Sequence, residues 1–263
     1  QENTSLAQLE SLKNALPGVS FVNSPILDQE LRAMRAVKSE KEMESLKKAQ
    51  KITEDAFSYI LPRLVPGRTE AEIALDIEIF MRQNGAERTA FDLIVVSGRK
   101  SSMPHGVPGE NRLKRGDFVT MDTGAVVDGM HSDMTRTVAV GEASAEQRKI
   151  YEIVLQAQKA AIAKAREGVR CADVDRAARE VIEQAGYGKY FGHSTGHSVG
   201  LEIHESPNFS PSSKDTAKSG MVITVEPGIY LPGRFGVRIE DMVYITPEGC
   251  ENLTHCPKEL IIV

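Results

Sequence analysis

Apolar residues along this chain recur with two periods, a helical one and an extended one, and the succession comes round twice. From Ser39 onward Met43, Leu46, Ala49, Ala56 and Ile60 fall on one helix face, with Glu42 completing a capping box and Pro62 closing the run. Thr69 with Glu72 predicts a second cap, followed by a face of Ile73, Ile77, Phe80 and Met81 and a stop at Gly85. Ile150, Val154, Ala157, Ala161 and Ala165 then mark another helix that breaks at Gly168, and a fourth runs through Val174 and Val181 to Gly186. Gly67, Ile73 and Gly85 each precede Gly168, Val174 and Gly186 by 101 positions. Ahead of all this, residues 1–38 predict a short helix over 6–16, a strand-like stretch over 19–22 and a turn.

The extended segments echo one another as well. Gly116-Asp-Phe-Val-Thr-Met-Asp122-Thr-Gly124 is matched 104 residues later by Gly220-Met-Val-Ile-Thr-Val-Glu226-Pro-Gly228. Each β-rich run ends on an acid followed by glycine, and each half carries a second acid, Asp133 in one and Glu240 in the other. The pattern predicts an internal duplication: two halves, each of two helices and a β-ribbon, in an α+β fold with pseudo-twofold symmetry. When the halves, roughly 40–140 and 145–250, are superposed by a near-twofold rotation, Asp122 is expected to land near Glu226, and Asp133 near Glu240. The catalytic domain is expected over residues 39–263. Residues 1–38 are too few to bury a core and read as the tail of, or linker from, a preceding domain, truncated or missing here.

Composition narrows the class. A net charge of -5 and a pI near 5.8 leave no basic footprint for nucleic acid. No apolar run reaches membrane-spanning length. Cys171, Cys250 and Cys256 form no CxxC pair and are odd in number, which reads as reduced thiols in a cytoplasmic protein.

Four carboxylates drawn to one place by two related ribbons raise one another's pKa unless a cation joins them. Asp122 and Asp133 flank the turn Asp128-Gly129, so adjacent antiparallel strands could bring them together; alone, such a pair reads first as an ordinary surface hairpin. His193, His197 and His204 crowd into a glycine-rich loop leading to an apolar strand, which alone reads equally as a turn with hydrogen-bonded imidazoles. Jointly they predict mixed imidazole and oxygen ligation, a donor set suited to Mn²⁺, Co²⁺ or Fe²⁺ and less exclusively to Zn²⁺.

The series Pro104-His105-Gly106, Met121-Asp122-Thr-Gly-Ala, Ser132-Asp133-Met-Thr-Arg-Thr, Gly196-His197-Ser-Val-Gly, His204-Glu205, Val225-Glu226-Pro-Gly-Ile-Tyr230 and Val237-Arg238-Ile-Glu240-Asp241 resembles the creatinase/aminopeptidase superfamily over about residues 39–263. Within it the chain is most similar to the Xaa-Pro peptidases, aminopeptidase P and prolidase. The resemblance implies the pita-bread fold, a homodimer, peptide substrates with proline second, and two divalent metal ions, Mn²⁺ or Co²⁺ before Zn²⁺ or Fe²⁺. It implies that Asp133 and Glu240 bridge the metals, that Asp122 completes one site, and that His197 and Glu226 complete the other. Glu226 would also shuttle the proton. His105 and His204 would bind substrate and stabilise the tetrahedral intermediate with His193 nearby, and Arg238 would brace the site.

His131 and His255 belong to no motif and are expected at the surface. Lys100, Met103 and Met130 depart from residues common in the family and are expected on the pocket wall. Methionine aminopeptidase shares the fold and the ligand types, but it usually has a longer insertion than the fourteen positions from Glu226 to Glu240. A metal-free binding protein or a creatinase would be expected to have lost a ligand, and all five are present.

Overall fold

The computed structural model describes residues 4–22, 24 and 26–263. Two compact units make up the chain, Gln1–Arg35 and Ala36–Val263. In the first, α1 (Leu6–Ala15) starts at a capping box between Ser5 and Gln8, and none of its residues is buried. The stretch 19–22, expected as a strand, has no regular secondary structure, and the turn expected after it gives way to a helix, α2 (Ile26–Ala36). A run of four β-prone residues is too short to make a strand by itself. Leu27, Glu30, Leu31, Met34 and Arg35 are all good helix formers, so propensity favours α2 although its large apolar side chains stay exposed.

The larger unit opens with α3 (Glu40–Ile60) and α4 (Glu70–Gln83), then β1 (Arg88–Thr89), β2 (Ile94–Ser97), β3 (Phe118–Thr123), β4 (Ala125–Val127), β5 (Met130–His131) and β6 (Met134–Ala139). Its second half holds α5 (Ala145–Lys164), α6 (Cys171–Gln184), β7 (Gly196–Ser198), β8 (Glu205–Phe209), β9 (Val222–Val225), β10 (Gly228–Leu231), β11 (Phe235–Arg238), β12 (Asp241–Ile245) and β13 (Cys250–Asn252). Ser39, Thr69 and Ser144 each close a capping box with the residue three further on, worth about 1 kcal/mol apiece.

The duplication extends to hydrogen bonds. α4 and α6 are offset by 101 residues at both ends. The Thr69–Arg112 bridge recurs as Arg170–Thr216, and the bond from Gly67 N–H to the Leu113 carbonyl recurs from Gly168 to Ala217.

The first half pairs β2, β3 and β6, and the second pairs β13, β12, β9, β7 and β8, with two small ribbons, β1-β4-β5 and β10-β11, beside them. A two-residue turn closes the hairpin of β4 and β5, with Asp128 at φ 49° and Gly129 at φ 75°, the left-handed pair that such turns require.

Strand periodicity aims the functional residues. In β3, Val119 and Met121 enter the core under α3 and α4, whereas Phe118 packs into the core of the other half, its ring 5.5 Å from that of Phe235. Thr120 and Asp122 share the face of Phe118, so Asp122 looks toward the seam between halves. In β9, Ile223 and Val225 enter the core beneath α5 and α6, leaving Thr224 and Glu226 on the opposite face. Register refines the equivalence of the second acids: Asp122 lies opposite Thr135 and Val225 opposite Asp241. Thr135 therefore occupies the position of Glu240, and Asp133 sits two residues away on the same face. Thr135 and Glu240 meet at the seam, Glu240 donating its N–H to the Thr135 carbonyl at 3.1 Å and accepting the Thr135 hydroxyl at 2.6 Å.

No helix among the described residues is long and apolar enough to cross a membrane. All three cysteines are free thiols.

Candidate active site

A cavity of about 590 Å³ opens at the seam, and all nine site residues expected from the sequence line it: His105, Asp122, Asp133, His193, His197, His204, Glu226, Arg238 and Glu240. Asp133, Arg238 and Glu240 are buried at its floor, while His105 and His204 are exposed at its rim. Glycine at 196 lets β7 press against β9, since a Cβ there would collide with the Thr224 carbonyl oxygen. That approach seats His197 beside the acids.

His197 Nε2 lies 3.5 Å from Asp133 Oδ2 and 3.4 Å from Glu226 Oε1. Its Nδ1 faces the Ser198 carbonyl at 3.1 Å and donates to it, so the neutral ring turns a lone pair on Nε2 toward the carboxylates. Burial, reinforced by His204, drives its pKa down to about 4, which keeps the ring neutral. The acids move the other way. Burial raises Glu226 to about 8, with Asp122 adding to the rise against the pull of Arg238. Asp133 and Glu240 stand well above ordinary carboxylates, first through burial and then through repulsion from Asp122 and Glu226, with Glu240 adding to the rise at Asp133. Ligand atoms of Asp133, His197 and Glu240 all lie within 4.8 Å of one another.

One buried cation answers part of this charge. Arg238 donates to Asp122 Oδ2 at 2.6 Å, to Thr135 Oγ1 at 3.0 Å, to the Tyr230 hydroxyl at 2.8 Å and to the Pro104 carbonyl at 3.2 Å. The Tyr230 hydroxyl, its acceptor side taken, donates onward to His193 Nε2 at 2.9 Å, and His193 Nδ1 donates to the Ser194 carbonyl at 2.8 Å. Burial lowers His193 to about 4 and raises Tyr230 to about 12, so the relay is neutral apart from Arg238. The chain behind it is fixed by Asp175, which pairs with Arg179 at 2.9 Å and accepts the Thr195 hydroxyl at 2.9 Å.

Several expectations need correction. His197 lies on strand β7 itself, and the segment after it runs through bends before reaching β8, which is not apolar. His131 is buried, donating from Nδ1 to the Gly200 carbonyl at 3.0 Å with Arg88 against Nε2; the type I′ turn folds β5 inward and takes the ring with it. His255 is exposed as expected. Lys100, Met103 and Met130 do not line the cavity. Lys100 pairs with Glu70, Met103 is exposed, and Met130 packs with Leu46 and Val199. Tyr230 and Thr135 were visible only as members of motifs, four residues after Glu226 and two after Asp133. Phe91, Asp92 and Asn208, also on the wall, belong to no sequence pattern.

The donor set fits a divalent metal. A neutral imidazole lone pair faces carboxylate oxygens, the acids are held far above their ordinary pKa by burial and one another, and Asp122 Oδ1 is buried with no hydrogen-bond partner. Duplicated halves enclosing such a cavity define the pita-bread class of α+β hydrolases. The chain belongs to metallopeptidase family M24, which matches residues 44–247. It is 46% identical over 235 residues to the Xaa-Pro dipeptidase of Pyrococcus horikoshii, covering 89% of this chain and 67% of that protein. The Xaa-Pro dipeptidase structure from Bacillus anthracis superposes with a TM-score of 0.96 at 44% identity, over 100% of this chain and 73% of the other. The X-Pro aminopeptidase structure from Thermotoga maritima gives 0.95 at 42% identity, over 100% and 73%.

Proposed function

We propose that this metallopeptidase hydrolyses the bond between an N-terminal residue and a following proline, with two divalent ions held by Asp122, Asp133, His197, Glu226 and Glu240. The observation that carries the reading is the His197 Nε2 lone pair set against the Asp133 and Glu226 carboxylates at 3.4–3.5 Å, an arrangement that a cation completes. Four carboxylates and one imidazole favour Mn²⁺ or Co²⁺. When bound, the ions would polarise the scissile carbonyl and acidify the attacking water toward neutrality.

The protein's own groups supply the rest. Glu226, whose own proton the bound ions would displace, would take the proton of the attacking water and return it to the proline nitrogen as the C–N bond breaks. His105 and His204, exposed at the rim of the cavity, would hold the substrate and the oxyanion. His193 stays neutral beneath them, its tautomer set by Tyr230 and Ser194, and Arg238 keeps Asp122 aimed into the cavity. An Xaa-Pro bond is a tertiary amide without the N–H that most peptidases grip, so recognition falls to the pyrrolidine ring. Phe91, Ile94, Val107, Pro108 and Ile203 give the cavity an apolar side able to receive it.

The reading is supported by relatives named as Xaa-Pro dipeptidases. With Mn²⁺ or Co²⁺ supplied, kcat/KM should be at least about tenfold higher on Xaa-Pro than on Met-Ala peptides, roughly 1.4 kcal/mol of discrimination. Equal or better turnover of Met-Ala peptides would favour the methionine aminopeptidase reading.

A further inference from the structure

Glu70 is a charged side chain at the first position of α4, fully buried at 0% exposure. An acid in a first helical turn normally sits in solvent and faces the helix dipole. This one turns away from its helix. Its Oε1 accepts from Ser97 N–H at 2.7 Å, the Ser97 hydroxyl at 3.0 Å and Asn111 Nδ2 at 3.1 Å. Its Oε2 accepts from Lys100 Nζ at 2.7 Å and Gly109 N–H at 3.2 Å. All five donors lie at the two ends of the segment 97–111, and none belongs to α4. The helix adds two amides, Glu70 N–H to the Asn111 carbonyl and Ala71 N–H to the Gly109 carbonyl. Between the pinned ends lie Pro104, whose carbonyl accepts from Arg238, and His105 at the cavity rim.

The other half meets the same need. Asp175, buried on the equivalent helix α6, ties down Thr195 between His193 and His197. The residue 101 positions after Glu70 is Cys171, so the Glu70 clamp is built in one half only.

We propose that Glu70 is a positioning residue for the reaction: by joining both ends of the 97–111 segment through one buried carboxylate, it holds His105 over the cavity. The proposal rests on the role of His105 in the Xaa-Pro reading. Lys100 is the ionic half of the clamp. The segment is also held elsewhere, Gly236 N–H donating to the Ser101 hydroxyl at 2.9 Å, so loss of the clamp should loosen the tip and leave the fold.

The experiment combines amide exchange with a mutant cycle. In the full chain, Glu70→Gln places an amide NH₂ against one set of donors. Exchange of the Met103 and Gly106 amides, which donate to the Lys100 and Met103 carbonyls, should speed up on the order of tenfold while the amides of β9 and α5 hold, because opening is local. With metal content unchanged, kcat on an Xaa-Pro peptide should fall on the order of tenfold with KM moving less. In a His105→Ala background the same substitution should cost less than about twofold, since two residues acting as a unit are non-additive. Unchanged exchange at Met103 and Gly106 overturns the proposal, and so does an equal loss of kcat in both backgrounds, which marks a structural role only. If Glu70→Gln does not fold, Lys100→Met should loosen the same amides and Lys100→Arg restore them; unchanged exchange in Lys100→Met overturns the clamp. A native enzyme that cleaves no Xaa-Pro peptide overturns the substrate reading instead, and the exchange result still decides the clamp.

Discussion

Arg238 donates to one oxygen of Asp122 at 2.6 Å, while the other, Asp122 Oδ1, is buried without a partner among the described residues. A buried acceptor left open costs roughly 1–3 kcal/mol, so the pairing fixes Asp122 in a state that a metal relieves. Arg238→Met should weaken metal binding about 10–100-fold, the scale for a residue that orients a ligand. It should also destabilise the metal-free protein by about 3–5 kcal/mol, because it strands a buried carboxylate. Arg238→Lys should restore little of either, since one ammonium cannot reach Asp122, Thr135, Tyr230 and Pro104 together. Titration calorimetry and urea unfolding check both, and a variant with native metal affinity would remove Arg238 from the assembly of the site.

Two neighbouring imidazoles should separate binding from chemistry. The rings of His197 and His204 meet edge to face with centroids 4.4 Å apart, yet His197 faces the acids and His204 faces solvent. His197→Ala should lose metal from one site. His204→Ala should retain full metal content and lose about a hundredfold or more in kcat, the scale for one oxyanion donor. Elemental analysis beside steady-state kinetics decides, and metal loss from His204→Ala would exchange their roles.

The parts legible in the sequence are those where local chemistry and tertiary need agree. Ser39 with Glu42 and Thr69 with Glu72 announced helices that both form as capping boxes. Asp128-Gly129 announced a hairpin because that turn needs left-handed backbone at both positions. The candidate ligands Asp122 and Glu226 stood out because each ends an apolar strand on an acid that is costly to bury unpaired. What stayed hidden is set by approach from a distance. Glu70 looks like an ordinary first-turn acid, and only the return of residues 97–111 buries it. His131 carries no motif, and its burial follows from Gly200 arriving 69 residues later. α2 did carry a sign, since Leu27, Leu31 and Met34 recur at helical spacing, but these residues stay exposed and the helix has no apolar face in the core to announce it.

The thiols should be inert in the native protein. Burial raises Cys171 and Cys256 to about 11, so almost no thiolate exists at pH 8 to attack a disulfide reagent. Reaction with Ellman's reagent at pH 8 should be slow until denaturant is added. Between about 9 and 11 the unfolded thiols lose their protons and the folded ones keep them, so stability should fall as pH rises. Urea midpoints measured from pH 8.5 to 10.5 should decline, and Cys171→Ala with Cys256→Ala should flatten the decline. Rapid labelling of Cys171 and Cys256 at pH 8 in a folded Cys250→Ser variant, which removes the half-buried third thiol, would contradict this placement of both residues.

Metal uptake should expel protons. Glu226 is raised to about 8, and Asp133 and Glu240 stand well above the usual carboxylate range, all chiefly by burial. Near pH 7 the metal-free site therefore holds protons that an incoming cation must displace. Mn²⁺ titrations at pH 7 in buffers of different ionisation enthalpy should report about one proton or more released per protein. The same shift fixes the pH dependence of the metal-free fold. Above the ordinary glutamate pKa the unfolded chain gives up the Glu226 proton while the folded chain retains it, so the folded state binds more protons and stability falls as pH rises toward about 8. The loaded protein, with cations in place of those protons, should lose this slope and show the higher Tm throughout. Thermal scans from pH 5 to 8.5, with chelator and with Mn²⁺, should diverge steadily as pH increases. Parallel curves, together with binding heats independent of buffer, would mean that these carboxylates are not the groups receiving the metal.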